Sequence, residues 1–354
     1  MPRTAVVFSP AYYKHNPGKD HPDSAKRLST IVNELNQGQL SRSRNWRFVK
    51  PEKARVEDVE LVHEMKYIDY VKAMCKSGGG LLDSGDTVIS SATYETALLA
   101  AGGALKATRI VINGNYKNSF ALVRPPGHHA TDCSGRGFCV FNNVAIAAKH
   151  LLRNFGLERV LIFDIDCHHG NGTQQIFFNT DKVLYASLHE NPIDFPGTGF
   201  IKEVGQGRGR GYTVNVPLPF RTGDQIYLKA WKEIVVPISL QYGPQFILVS
   251  AGLDCHYADP IGQLSLSAFC YDEVFRAIMS LASRLCGGRL ALILEGGYSV
   301  RFVGKLASNA IARLSQTTYQ LEDQVPAVSQ RLRCNGEKVI RDVKQIQKSF
   351  WRLD

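Results

Sequence analysis

Short runs of apolar residues, separated by segments with helical spacing, limit what this chain of 354 residues can fold into. Most of the runs are rich in β-branched residues and lack the alternation of a strand with one solvated face. Strands buried on both faces are typical of a parallel sheet that is covered by helices. The pattern therefore predicts an α/β fold with a mainly parallel sheet. The predicted strands are Ala5–Ser9, Phe120–Arg124, Arg159–Asp164, Val183–Leu188, Tyr212–Val216, Phe246–Ser250 and Leu290–Glu295.

Helical patterns lie between many of these strands. Asn143–Phe155 carries apolar residues at helical spacing, and Ser267–Leu285 begins at an N-cap serine and is followed by Gly287 as a stop. Gln225–Tyr242 also has a helical pattern, which Pro237 should kink or divide. Since neither a linker nor an internal repeat interrupts the pattern, we expect residues 1–354 to form a single domain.

The C-terminal segment, about residues 316–354, is predicted to be a helical tail and contributes to an excess of positive charge. The chain has 42 Lys and Arg against 32 Asp and Glu, a formal net charge of +10. Such an excess suggests an anionic partner, and the amphipathic, basic stretch Glu337–Trp351 could bind nucleic acid or a membrane. We favour a docked helix with solvated charges instead. Its docking residues would be Val339, Val343, Ile346 and Phe350.

The apolar runs and the cysteines bear on the compartment. No run approaches the ~18 apolar residues of a membrane helix, and the first residues do not resemble a signal peptide. None of the eight cysteines forms a Cys-x-x-Cys pair, which argues against a zinc ribbon or a thioredoxin motif. We therefore expect a cytoplasmic protein with reduced cysteines and no membrane partner.

Polar residues that can bind metals or move protons follow four of the predicted strands. Ligands of open α/β sheets bind at the carboxyl ends of the strands, so four such clusters predict one shared site. The clusters are Pro125–His129, Asp164–Gly172, Ala251–His256 and Gly296–Tyr298.

Asp166 and His168 are the first candidate metal ligands. At a spacing of two residues in extended backbone, both side chains point to the same side. Asp254, from another strand end, would be a third ligand, and three ligands with an open position describe a catalytic zinc site. Alternatively, His168 is a core histidine and the aspartates are caps; the four clusters together favour the metal site. By strand alternation Cys167 should point away and pack.

His128 and His129 are candidates for acid and base, because histidine titrates near neutral pH. The alternative is a loop that the preceding prolines fix. Tyr298 follows two glycines and could donate a hydrogen bond to an oxyanion. On its own, Gly-Gly-Tyr is more often only a turn.

In combination, these motifs resemble the zinc-dependent histone deacetylase family, closest to its class II and prokaryotic members. The chain is also similar to acetoin-utilisation and acetylpolyamine amidohydrolase relatives. The resemblance runs from about Ser9 to about Ala312. The matching segments are HPDSAKRL (21–28), RPPGHHA (124–130), GFCVFNN (137–143), FDIDCHHGNGTQ (163–174), SLHENPIDFPGTG (187–199), GYTVNVPLP (211–219), SAGLDCHYADP (250–260) and LEGGY (294–298).

The resemblance implies the arginase/deacetylase fold, a single eight-stranded, mainly parallel sheet with helices on both faces. It implies one Zn²⁺ per chain and hydrolysis of acetyl-lysine in proteins or peptides by an activated water, with release of acetate. The implied zinc ligands are Asp166, His168 and Asp254. The implied catalytic residues are His129 as general base and then acid, His128 as its electrostatic partner, Asp164 orienting His128, Asn171 as the partner of His129, and Tyr298 bonding to the amide carbonyl.

The same resemblance implies residues around the substrate and at monovalent cations such as K⁺. The substrate channel would be lined by Gly137, Phe138 and Phe195, with Ile261 at the gate, Asp86 at the rim and Arg27 in an internal cavity. One cation site would comprise Asp164, Asp166, His168, Ser187 and Leu188, and a second Phe177, Thr180, Val183 and Tyr212.

Departures from the family pattern bear on the substrate. Asn171, as in class II members, replaces the aspartate of class I, and its neutral amide should make His129 less basic. Ile261 occupies the position where polyamine-specific relatives place a glutamate, and the segment 76–91 is short for their long loop. Both features disfavour an acetylpolyamine, which remains the alternative substrate. A basic surface would also repel cationic substrates unless the channel mouth is locally acidic.

Two other classes of protein remain open. A binuclear ureohydrolase needs further bridging carboxylates; Asn171 stands where one would help, and His256 is only a possible substitute. A non-enzymatic basic binding protein rests on the charge and the tail alone. We expect an acetylated protein, peptide or small amine as the partner, and no nucleic acid.

Overall fold

A computed structural model describes residues 3–354 and contains ten strands and eleven α-helices in that range. The strands are β1 (Thr4–Val7), β2 (Trp46–Val49), β3 (Gly79–Leu81), β4 (Val88–Ser90), β5 (Asn118–Ala121), β6 (Val160–Asp164), β7 (Val183–Glu190), β8 (Thr213–Leu218), β9 (Phe246–Ala251) and β10 (Leu290–Leu294). The helices are α1 (Lys26–Gln37), α2 (Val56–Val59), α3 (Met65–Lys76), α4 (Thr93–Ile112), α5 (Asn143–Asn154), α6 (Asn171–Phe177), α7 (Asp224–Ala230), α8 (Val236–Tyr242), α9 (Ala268–Cys286), α10 (Val303–Ser315) and α11 (Gln330–Gln347).

Eight strands form one parallel sheet in the order β2-β1-β5-β10-β9-β6-β7-β8. Every residue of the four central strands β5, β10, β9 and β6 is buried, because helices cover both faces. These are the four strands that the polar clusters follow. Their carboxyl ends lie side by side, as the sequence predicts for one shared site.

All seven predicted strands are present, with ends displaced by a few residues. The sequence pattern missed β2, whose two middle residues are exposed at the edge of the sheet, so it lacks a continuous apolar run. It also missed the two-stranded antiparallel hairpin β3-β4, whose strands have three residues each and of which β3 is rich in glycine.

The predicted helices are confirmed, with one informative break. The Ser267 hydroxyl accepts from the Cys270 amide to cap α9, and Gly287 ends it in the left-handed conformation. The stretch 225–242 is divided into α7, a π-helical turn at Trp231–Val235, and α8, with Pro237 in the first turn of α8. Proline has no amide hydrogen to donate into the preceding turn, which accounts for the break.

The C-terminal tail docks through a helix, but the helix is shorter than the predicted segment. Residues 317–329 are not helical, and α11 spans 330–347. α11 packs against β8 and α7, and its fully buried apolar side chains are Ile340 and Val343. The other three predicted docking residues, Val339, Ile346 and Phe350, are half-buried, and Val339 packs against the core. Gly336 and Gln347 are also buried. No helix in the described range is both long and apolar enough to cross a membrane.

Candidate active site

Asp166, His168 and Asp254 come together beyond the carboxyl ends of β6 and β9. Their potential ligand atoms all lie within 4.8 Å of one another, and all three side chains are buried. His168 Nδ1 lies 3.3 Å from Asp166 Oδ1 and 3.6 Å from Asp254 Oδ2. The backbone fixes the two carboxylates: the Cys167 amide donates to Asp254 Oδ1 at 2.9 Å, and the Gly296 amide donates to Asp166 Oδ2 at 2.9 Å.

This arrangement fits a divalent metal ion. Asp254 Oδ2 is buried and has no hydrogen-bond donor, which is costly for a carboxylate oxygen unless a cation satisfies it. Burial, and next the neighbouring Asp166 carboxylate, raise the pKa of Asp254 to about 7. One imidazole nitrogen and two carboxylate oxygens form a donor set that zinc accepts. We therefore describe these three residues as the candidate metal site.

His128 and His129 lie beside the metal site with opposite electrostatic environments. His128 Nδ1 is 3.1 Å from Asp164 Oδ2; burial lowers the pKa of His128, but the Asp166 and Asp164 carboxylates outweigh burial and raise it to about 10. His129 Nδ1 is 2.8 Å from Asn171 Oδ1. Burial and the neighbouring His128 hold the pKa of His129 well below its usual range. The pKa values of the two histidines are thus shifted in opposite directions, that of His128 upwards and that of His129 downwards.

Tyr298 enters the site from the loop that follows β10. The Arg27 guanidinium lies 4.6 Å from the centroid of the Tyr298 ring and donates to the backbone oxygens of Gly297 and Glu295. Burial raises the pKa of the Tyr298 phenol well above its usual range, so the hydroxyl keeps its proton. Arg27 itself is buried and paired with Asp23 at 2.6 Å. The buried Arg27 guanidinium therefore fixes the backbone of the loop that carries Tyr298, which we call the tyrosine loop.

Three proposed channel residues surround the same centre. Gly137 has φ +55°, and a Cβ there would lie 2.6 Å from His129 Cδ2 and 2.9 Å from Phe195 Cζ. The Phe195 ring packs edge-on against His129, with centroids 4.9 Å apart. Phe138 packs edge-on against Tyr298 at 5.7 Å and has φ +68°, which is unusual for a side chain of this size. Its amide donates to the Thr87 hydroxyl at 3.1 Å, which helps to hold this backbone.

Asp86 and Ile261 lie on loops at the periphery of the site. The Asp86 backbone oxygen is 2.9 Å from His21 Nε2, and the His21 ring packs against Phe138 at 4.6 Å. Asp86 is exposed, as a rim residue should be. Ile261 is half-buried, and its amide donates to Asp259 Oδ1 at 3.0 Å.

The residues proposed for the first monovalent cation are also neighbours. Asp164 of β6 is in register with Ser187 of β7, and Leu188 follows Ser187. The Asp164 carboxylate accepts from the Tyr185 hydroxyl at 2.9 Å as well as facing His128. The structure thus places Asp164, Ser187 and Leu188 on adjacent strands, and Asp166 and His168 follow the end of β6.

The residues proposed for the second cation lie between α6 and β8. The Thr180 amide donates to the Phe177 oxygen at 3.2 Å, and Val183 begins β7 shortly afterwards. The Tyr212 oxygen accepts from the Tyr185 amide at 3.0 Å. These four residues are therefore close along the α6–β7 connection and at the start of β8.

Three buried carboxylates join the site without having been singled out from the sequence. Glu295 accepts from the Gly127 amide at 2.7 Å and the His128 amide at 3.2 Å, so it holds the histidine loop. Glu190, at the end of β7, lies 3.7 Å from His168 Nε2. Asp259 binds the loop of Tyr298. All three carboxylates stand inside segments that carry the family resemblance, which was the signal available for them.

Known proteins are similar to this chain along most of its length. Residues 21–314 match the family model described as histone deacetylase domain. The chain is 41 % identical over 359 residues to a probable deacetylase of Archaeoglobus fulgidus, covering 99 % of each chain. It is 37 % identical over 348 residues to the chloroplastic histone deacetylase 14 of Arabidopsis thaliana, covering 94 % of this chain and 81 % of that one. Among solved structures, the HDA15 HD domain matches with a TM-score of 0.88 at 33 % identity, covering 99 % of this chain and 95 % of that chain.

Proposed function

The chain belongs to the histone deacetylase family and has its arginase/deacetylase fold, and from that premise we propose that it hydrolyses acetyl-lysine in proteins or peptides. The observation that carries the proposal is the buried group of Asp166, His168 and Asp254, with one carboxylate oxygen lacking any donor, beside two histidines and a tyrosine. Each of these residues has a chemical role in amide hydrolysis.

We propose that the three ligands hold one Zn²⁺. When bound, zinc supplies Lewis acidity to the attacking water and to the amide carbonyl. The chain supplies the fixed geometry: the amides of Cys167 and Gly296 orient the two carboxylates before the ion arrives. That preorganisation supports a catalytic rather than an incidental ion.

His129 is the proposed base. The Asn171 amide nitrogen donates to the His129 backbone oxygen at 3.3 Å, which orients its Oδ1 towards His129 Nδ1. Nδ1 must therefore carry the ring proton, and Nε2 is left with a lone pair. Because its low pKa keeps the imidazole neutral, Nε2 accepts a proton from the attacking water and then donates it to the leaving lysine amine.

His128 and Tyr298 stabilise charge around that transfer. His128 donates from Nδ1 to Asp164 and carries a positive charge, which keeps its neighbour His129 neutral. The phenol of Tyr298 remains protonated and donates to the carbonyl oxygen as negative charge develops there. The two aromatic rings of Phe138 and Phe195 suit the apolar methylene stem of lysine.

The test compares two substrates. An acetyl-lysine peptide and an acetylated polyamine should be assayed side by side, with and without a hydroxamate and a chelator. We expect hydroxamate-sensitive release of acetate from the peptide, and a loss of at least about 100-fold in kcat for His129→Ala and Tyr298→Phe. Turnover of the polyamine alone would replace the proposed substrate, and sensitive turnover of neither would reject the enzymatic proposal.

The contacts of His256 disfavour a binuclear ureohydrolase. His256 Nε2 faces Asp323 Oδ2 at 3.0 Å, and His256 Nδ1 accepts from the Ala258 amide at 3.2 Å, so neither nitrogen is free to bind a second ion. Elemental measurement of the purified protein should give about one zinc per chain; two manganese ions would overturn the mononuclear proposal. All eight cysteines are free thiols, which suits the reducing cytoplasm that we propose as the compartment.

A further inference from the structure

One buried carboxylate, that of Asp259, accepts four backbone amides from two different loops. Asp259 Oδ2 accepts from the amides of Tyr298 at 2.7 Å and Ser299 at 3.0 Å. Asp259 Oδ1 accepts from the amides of Ile261 at 3.0 Å and Gly262 at 3.3 Å. The side chain is 9 % exposed, so water cannot easily replace these bonds. The first loop carries the tyrosine of the site, and the second carries the gate residue.

Asp259 bonds the part of the tyrosine loop that follows Gly297. Up to Gly297, the loop is held by Arg27 and by the bond from the Gly296 amide to Asp166. Gly297 then has φ +114°, a backbone conformation that glycine can adopt because it has no Cβ. Beyond it, the amides of Tyr298 and Ser299 have Asp259 as their acceptor.

The gate loop is seated on the candidate metal site. A Cβ at Gly262 would lie 2.1 Å from the Asp254 backbone oxygen and 2.8 Å from Cys167 Sγ, so the loop is in close contact with both ligand segments. On its far side, the Gln263 amide donates to Glu190 at 2.6 Å. These contacts fix the gate loop, so the Asp259 carboxylate has a defined position from which it accepts from the Tyr298 amide.

We propose that Asp259 is a positioning residue that fixes the Tyr298 hydroxyl in the site and ties its position to the gate loop. This proposal rests on the deacetylase function proposed above. A change that moves the gate loop should therefore also move the Tyr298 hydroxyl, although Ile261 and Tyr298 are far apart in sequence.

Asp259→Asn tests the proposal with little change in shape. A carboxylate has two acceptor oxygens, whereas an asparagine has one oxygen and an NH₂ group that only donates. Two of the four amides must then face donors, and one loop must move. We expect kcat to fall roughly 10- to 100-fold with KM little changed, as for partial loss of an oxyanion donor. Zinc affinity is measured in parallel by chelator competition, and a loss of zinc affinity as large as the loss of kcat would overturn the proposal.

A double-mutant cycle with Tyr298→Phe separates positioning from general damage. If Asp259 acts through the phenol, Asp259→Asn should cause little further loss of kcat in the Tyr298→Phe background. Full additivity of the two losses would overturn the proposal. Asp224→Asn is the matched control, because its carboxylate accepts from the amide and hydroxyl of Ser267 on the first turn of α9, outside the site.

Hydrogen exchange supplies a readout that does not need a substrate. In Asp259→Asn, we expect faster amide exchange in peptides covering 296–300 or 259–263, with the rest of the chain unchanged. Unchanged exchange in both segments would refute the positioning role. If the wild-type protein hydrolyses no acetyl amide, the proposed function fails while this measurement still decides the role of Asp259.

Discussion

Gly296→Ala is the most direct test of the candidate metal site, because this glycine lies against two of the three ligands. A Cβ at Gly296 would lie 2.1 Å from Asp254 Oδ2 and 2.6 Å from Asp166 Oδ2, whereas real Cβ atoms essentially never approach within 3.0 Å. The two oxygens must therefore retreat by roughly 0.9 Å and 0.4 Å. A metal site tolerates deviations of about 0.2 Å in its ligand distances.

The expected consequence is loss of metal affinity. Changing residues that only orient the ligands of a metal typically costs 10- to 100-fold in affinity. Displacing the ligand atoms themselves should cost at least about 100-fold for zinc, or ~2.7 kcal/mol. Activity at limiting zinc should fall in parallel and recover in part at high zinc.

The assay is a competition between the metal-free protein and a fluorescent zinc chelator. Gly85→Ala is the matched control, because its nearest neighbour would be 3.6 Å away and its backbone is not in the left-handed region. Thermal unfolding of the metal-free variants shows whether the fold survives. A folded Gly296→Ala protein that binds zinc as tightly as the wild type would refute the assignment of the three ligands.

Three further changes probe the surroundings of the site. Asn171→Asp should raise the pKa of His129 by placing a negative charge beside it, which moves the acidic limb of the kcat–pH profile to higher pH; an unmoved limb would contradict the pairing. Glu190→Gln should weaken zinc binding roughly 10-fold in the chelator competition, because the carboxylate beside the histidine ligand is lost; unchanged affinity would count against it. His63 is buried, and its Nε2 accepts from the Asn142 amide at 2.8 Å. Burial lowers the pKa of His63 to about 4, so its contribution to stability is present above about pH 6.5 and is lost as the pH falls towards 4. Urea unfolding should show about 3 kcal/mol less acid destabilisation in His63→Gln than in the wild type, and an equal loss in both would refute the shift.

The sequence was sufficient to predict the sheet and the place of the site, because both follow from strong local patterns. Fully buried parallel strands leave unbroken apolar runs, and the polar clusters begin where those runs end. The exceptions were weak patterns: β2 at the edge of the sheet is half exposed, and the hairpin β3-β4 is too short. The polar clusters also indicated the candidate ligands, the two histidines and Tyr298, which the structure brings together, and the motif resemblance added the roles that they would have.

The supporting carboxylates could not be predicted in the same way. Glu190, Asp259 and Glu295 act on backbone amides or side chains of segments far away in sequence, and such contacts are created only when the loops meet. An acidic residue in a loop gives no sign of which amides it will accept from. In the tail, the helix and its docking residue Val343 were predictable from the amphipathic pattern, whereas its contacts with β8 and α7 could not be read from the sequence.

The choice between the two substrates should depend on the loops around the site rather than on the buried residues at its centre. Amide hydrolysis needs the same ligands, base and phenol for acetyl-lysine and for an acetylated polyamine, so those residues cannot distinguish the two. A polyamine differs by carrying further ammonium groups, which a carboxylate at the gate would attract. Ile261 offers no charge there, and Asp259 beside it is already committed to four amides. Ile261 therefore does not attract the additional ammonium group of a polyamine. Ile261→Glu should raise kcat/KM for the acetylated polyamine relative to kcat/KM for the acetyl-lysine peptide. An unchanged ratio would show that selectivity is determined elsewhere on the rim.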